Sequence, residues 1–154
     1  MNKKRIKYNL LLVAAIVTIS VSTISCEKVF PNDKLDHFWR LNYVEYPNGS
    51  DFSGNICDID TLGDVYIGFA QDLLQIENHS NGFSAFGVLS DMGDSLRFDF
   101  SVYRESDGYD PDNIATNLKM VGIDSLFSTF FIKQLDNKRL ILSNESATLR
   151  FEKW

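Results

Sequence analysis

The residues of this 154-residue chain best suited to chemistry are two histidines, two cysteines and two runs of acids. His37 and His79 are the only imidazoles, and each stands alone in the sequence. A general base acts on a nucleophile or a metal-bound water within its reach. No Gly-x-Ser-x-Gly, His-Glu-x-x-His, glycine-rich phosphate loop or paired-cysteine motif accompanies either one. The chain is therefore expected not to be an enzyme and to need no cofactor. The acidic runs are "DIDTLGD", with Asp58, Asp60 and Asp64, and "SDGYDPDN", with Asp107, Asp110, Asp112 and Asn113. They carry the hard oxygens that calcium prefers. Leu62 occupies a ligand position in the first, and neither run closes on a glutamate, so both read as solvated loops and a helix cap, with no metal site. Cys57 is followed by Asp58 and Asp60. Negative neighbours disfavour a thiolate, which predicts an inert, buried thiol.

Cys26 has a different setting. Lys3, Lys4, Arg5 and Lys7 precede a run of about 15 apolar and small hydroxyl residues, Leu10 to Ile24, the layout of an export signal. A bilayer-spanning helix takes about 20 predominantly apolar residues. This run is shorter and is weakened by Thr18, Ser20, Ser22 and Thr23, so cleavage is expected. Thr23-Ile24-Ser25-Cys26 resembles the lipobox of bacterial lipoproteins. The resemblance implies cleavage before Cys26, which then becomes an acylated N-terminus and makes the membrane a partner. Two or three acyl chains, at about 0.8 kcal/mol per buried methylene, hold such a chain on its membrane. Similarity to lipoproteins of Bacteroides-type bacteria implies the outer membrane, on its periplasmic side or at the cell surface.

The chain thus divides into a leader (1–25), a tether (26–34) and a domain (35–154). Cleavage would leave 129 residues, enough for one domain with a sizeable core. The four leader cations would leave with it, moving the formal charge from -6 to -10, with 11 Lys and Arg against 21 Asp and Glu. Nucleic acid is excluded as a partner, because phosphate binding needs a cationic surface. With Cys26 acylated, Cys57 has no internal disulfide partner, so the fold must stand on packing.

The elements are read from the period. Trp39, Leu41 and Tyr43 alternate with polar residues, as do Val65, Ile67 and Phe69, and again Leu96, Phe98 and Phe100. Such alternation predicts half-buried antiparallel strands. Turn chemistry at Pro47-Asn48-Gly49, Ser80-Asn81-Gly82, Met92-Gly93-Asp94 and Asp136-Asn137 separates them. Strands are predicted over 37–46, 64–70, 72–78, 83–89, 95–103, 128–135, 138–143 and 147–153, with a further short one at 54–58. Asp110-Pro111-Asp112 has the chemistry of a helix start, and Gly122 that of a stop, giving one helix near 111–121. The fold class is all-β, an antiparallel meander of about eight strands closed as a barrel.

An aromatic-rich first strand, a late helix and the closing strand "LRFEKW" resemble the lipocalin-like lipoproteins of Bacteroides-type bacteria. Trp39 matches the tryptophan that closes the floor of lipocalin barrels, with His37 where those proteins carry a glycine. The resemblance implies a small hydrophobic or amphipathic ligand inside the barrel. The expected lining is Trp39, Tyr43, Ile67, Phe69, Ala85, Gly87, Phe98 and Phe100, with Ala85 and Gly87 leaving room on one wall. The alternative is a filled barrel that serves as an interaction or accessory module for an envelope protein. Thr61, Ser95 and Ser125, each in an Asp-Thr/Ser-Leu tripeptide, resemble the O-glycosylation acceptors of exported proteins in the same bacteria.

Overall fold

The computed structural model describes residues 32–47, 63–102 and 110–154. The predicted strand at 54–58, Cys26, Cys57, Thr61 and the first acidic run up to Leu62 lie outside these residues. Eight strands follow one another: β1 (Phe38–Glu45), β2 (Val65–Ala70), β3 (Leu73–Asn78), β4 (Phe83–Asp91), β5 (Ser95–Asp99), β6 (Phe127–Leu135), β7 (Arg139–Ser143) and β8 (Thr148–Lys153). The helix α1 (Pro111–Met120) lies between β5 and β6. Each strand pairs antiparallel with its sequence neighbour, and β1 pairs with β8, so the sheet closes into an eight-stranded barrel. Closure leaves no free edge for another chain to extend. The fifth strand ends at Asp99, earlier than the alternation predicts, and Phe100 stays buried beyond it.

Two bulges decide which side chains enter. Between Leu41 and Tyr43 the register against β8 slips by one residue, with Leu41 opposite Phe151 and Tyr43 opposite Arg150. Side chains alternate sides along a strand, so one extra residue reverses the phase. Trp39 and Leu41 point inward before the bulge, and Val44 does so after it. A second slip, between Ile132 and Gln134, lies in β6.

In an up-and-down meander the turns alternate between two ends. One end carries a 3-10 turn at Asp33–Leu35, the β2–β3 turn at Gln71-Asp72, the β4–β5 turn around Gly93, the β6–β7 turn at 136–138 and Trp154. Trp39 closes this end from inside, its indole Nε1 donating to the Leu35 carbonyl at 3.0 Å. The opposite end carries α1 and the β3–β4 and β7–β8 turns. The Asp110 carboxylate caps α1, accepting from the backbone N–H groups of Asp112 at 3.1 Å and Asn113 at 3.0 Å. That cap satisfies donors the helix cannot pair itself, and Leu118, Val121 and Ile123 plug the barrel below.

The β6–β7 turn is tied by Asp136, which accepts from the side chain of Gln134 and from the backbone N–H groups of Lys138 at 2.8 Å and Arg139 at 2.9 Å. These hydrogen bonds, with Arg139 nearby, hold its carboxyl below the ordinary value of 3.8. A lowered folded-state pKa gives stability that is present above the ordinary value and is lost as the pH falls through the lowered one. Asp136→Asn is therefore expected to be less stable than the parent at neutral pH. The two should converge on acidification below pH 3.8, followed by denaturant titration across pH.

Candidate functional site

The barrel interior is the first place to look for a ligand. Ring centroids of Phe69, Phe100 and Phe130 lie 5.9, 6.5 and 5.3 Å from that of Phe98, so four phenyl rings meet at the middle of the barrel. Trp39, Phe98, Phe100 and Phe130 expose 0% of their surface, as do Ile67, Leu74, Leu96, Leu140 and Leu142. A side chain lining a void that held even one water would expose some surface to it. These expose none, so the rings and aliphatic side chains occupy the space around themselves.

Six of the predicted lining residues, Trp39, Ile67, Phe69, Ala85, Phe98 and Phe100, are buried in the core. Gly87 is buried too, but it leaves no room. A Cβ there would sit 2.8 Å from the Asp99 carbonyl oxygen and 3.1 Å from the Phe100 ring, so the neighbouring strand and ring already fill the gap. Tyr43 requires a correction, since it is 39% exposed on the outer wall. The β1 bulge turns it outward and puts Val44 in its place.

The polar candidates do not assemble. His37 precedes β1, whereas His79 lies in the β3–β4 turn with its Nε2 2.9 Å from Glu77 Oε2 and its ring stacked on Tyr66 at 4.8 Å. Asp110 is occupied as the helix cap. Among the described residues no three His, Cys, Asp or Glu side chains converge as metal ligands. Ser95 is only 6% exposed, and its hydroxyl donates to Asp94 at 2.9 Å, so the folded barrel gives a glycosylating enzyme no access to it. Ser125 is exposed, with its hydroxyl donating to the Phe127 carbonyl at 2.6 Å.

The outer wall carries what the alternation does not predict. Phe38 pairs with Gly68, Gly68 with Gln75 and Gln75 with Phe86, which places these four residues in one row across β1 to β4. The missing side chain at Gly68 lets the Phe38 ring lie against the backbone, since a Cβ there would come within 2.7 Å of it. Phe38, Leu73 and Phe86 remain 48%, 51% and 55% exposed. With Gly68, Ala70 and Gln75 they line a shallow groove of about 130 Å³. Pockets for drug-sized ligands run to about 300–1,000 Å³, so this groove suits a single protruding side chain. The exposed rings on β6 differ. Arg97 sits 5.5 Å over Phe127 and Lys133 sits 5.8 Å over Phe131, so both are covered by cations. The signal available in the sequence was the pair Phe86 and Leu73, apolar residues at outward positions of amphipathic strands.

Residues 18–154 match the family model described as a lipocalin-like domain. Among solved structures, the chain is similar to an uncharacterized protein from Bacteroides eggerthii DSM 20697, with a TM-score of 0.57, 20% identity, and coverage of 78% of this chain and 99% of that one. It is also similar to a lipocalin-like protein from Bacteroides uniformis ATCC 8492, with a TM-score of 0.50, 18% identity, and coverage of 79% and 99%. No curated protein matches. With the closed eight-stranded barrel and a match over most of its length, the chain belongs to the lipocalin-like domain family.

Proposed function

We propose that this protein is a non-catalytic lipoprotein of the bacterial envelope, anchored through acylated Cys26, whose packed barrel acts as an interaction or accessory module through its outer wall. The single observation that carries this reading is the interior, where Trp39, Phe98, Phe100 and Phe130 expose 0% of their surface. The lipocalin-like fold by itself is equally suited to holding a small apolar ligand. In this chain Phe98 and its neighbours occupy the place such a ligand would take. The groove between Phe38, Leu73 and Phe86 then offers the exposed apolar surface, rimmed by two exposed rings. The partner that fits it is a protein presenting one apolar side chain, because aromatic anchors seated in small pockets dominate most interfaces.

The experiment is a titration of the purified protein with fluorescent fatty-acid and retinoid probes. No saturable uptake is expected, and one-to-one saturable uptake would replace this reading by the ligand-carrying one. Mild crosslinking in intact membranes should then recover a defined protein partner. Phe86→Ala is expected to weaken that complex by about 2 kcal/mol, roughly 30-fold, while Phe127→Ala leaves it unchanged.

A further inference from the structure

The first described residue of the tether is held firmly. The Asn32 backbone N–H donates to Asp91 Oδ2 at 3.0 Å, and its side-chain Nδ2 donates to Asp91 Oδ1 at 2.9 Å and to the Gly93 carbonyl at 3.0 Å. The chain therefore leaves the barrel beside the β4–β5 turn. Asn32 lies six residue steps from Cys26, which at about 3.3–3.6 Å each reach at most about 20–22 Å. A nine-residue strand such as β4, tilted as barrel strands are, makes the barrel roughly 23 Å tall. Bringing the α1 end to the membrane would need the tether stretched taut along the whole wall.

Charge separates the two ends in the same sense. Among the described side chains at the tether end, Lys34, Arg40, Lys133, Lys138, Arg139 and Lys153 balance Asp36, Asp72, Asp91, Asp94, Asp136 and Glu152. At the α1 end, Lys119 and Arg150, the latter 3.1 Å from Glu45, stand against Glu45, Asp64, Glu77, Asp110, Asp112, Asp124 and Glu145. A surface of lipid phosphates repels that acidic end and tolerates the balanced one. The tether end also exposes Met92 beside the Asn32 clasp, and Phe131 with the Lys133 ammonium over its ring. An apolar body with a cationic tip suits the boundary between lipid tails and headgroups.

From the Asn32 clasp, the tether length and the charge separation we infer that the end of the barrel bearing the β4–β5 and β6–β7 turns docks on the phospholipid surface, with the acidic, helix-capped end directed away. The inference rests on the anchoring reading above.

The test uses the mature acylated protein in vesicles of phosphatidylethanolamine and phosphatidylglycerol. Met92→Cys and Glu145→Cys, each with Cys57→Ser, carry an environment-sensitive fluorophore. The label at 92 should shift to the blue and be quenched by nitroxide lipids, while the label at 145 stays in water. Lys34→Glu with Lys138→Glu should reduce the response at 92 without releasing the protein from floated vesicles. Equal responses at both sites, or none at either, in protein that floats with the vesicles would overturn the docking and leave the anchor intact. Protein that does not float would overturn the anchoring, and the docking with it.

Discussion

Replacing Phe98 by alanine is expected to destabilise the barrel by about 3–5 kcal/mol, the range for truncating a fully buried phenylalanine. The ring contacts Phe69, Phe100 and Phe130 at once and has no surface exposed. Its removal forfeits both the transfer free energy and the dispersion contacts of three neighbouring rings. A barrel wall closed by hydrogen bonds on every strand has little freedom to collapse into the space. Domains of this size are stable by about 5–15 kcal/mol, so the variant should still fold at low temperature. The void it leaves is apolar and dry, and such voids take up benzene or xenon. Benzene should raise the melting temperature of Phe98→Ala and leave that of the parent unchanged. Comparable stabilisation of both proteins would show that the parent barrel already holds an accessible cavity.

The second large effect is expected at Gly122. The end of α1 is a Schellman motif, with the Ile123 N–H bonded to the Leu118 carbonyl at 2.9 Å and the Gly122 N–H to the Lys119 carbonyl at 3.1 Å. Gly122 takes a φ of +82° there, and a Cβ would stand 2.6 Å from Leu149 Cδ2 and 2.8 Å from Val44 Cγ1. Gly122→Ala therefore combines left-handed strain of about 1–2 kcal/mol with overpacking of about 1–3 kcal/mol. We expect a loss of about 2–5 kcal/mol by denaturant unfolding. Gly82→Ala serves as the control, because Gly82 has a φ of +73° and nothing within 4 Å of its Cβ position. It should lose the strain alone. Equal losses at the two sites would show that the helix end does not press on the barrel as described.

Much of the fold was legible in the chain. Alternating apolar residues marked all eight strands within a few positions, because a strand's two faces are a local property of period two. The Asp110-Pro111 start and the Gly122 stop marked α1 for the same reason, since caps act on residues only a few positions away. One turn carried no such mark. Gln71-Asp72 joins β2 to β3 with Gln71 at a φ of +57°, a conformation that turn chemistry assigns to glycine or asparagine. The flanking strands impose that turn on the chain.

What the sequence by itself determined was the order of strands, the helix that follows β5, the kinship of its first strand and its export-like start. The tertiary structure decided which side chains enter the interior and how closely they pack there. Tyr43 was expected inside, yet the bulge that turns it out exists only because β1 must pair with β8, more than 100 residues along the chain. Gly87 read as room on one wall, yet the Asp99 carbonyl of β5 and the Phe100 ring just beyond it fill that room. The groove on the outer wall depends on Phe38, Gly68, Gln75 and Phe86 falling in one row across four strands. Period and composition describe neighbours along the chain. Filling, phase and grooves depend on neighbours across the sheet, which only the closed barrel brings together.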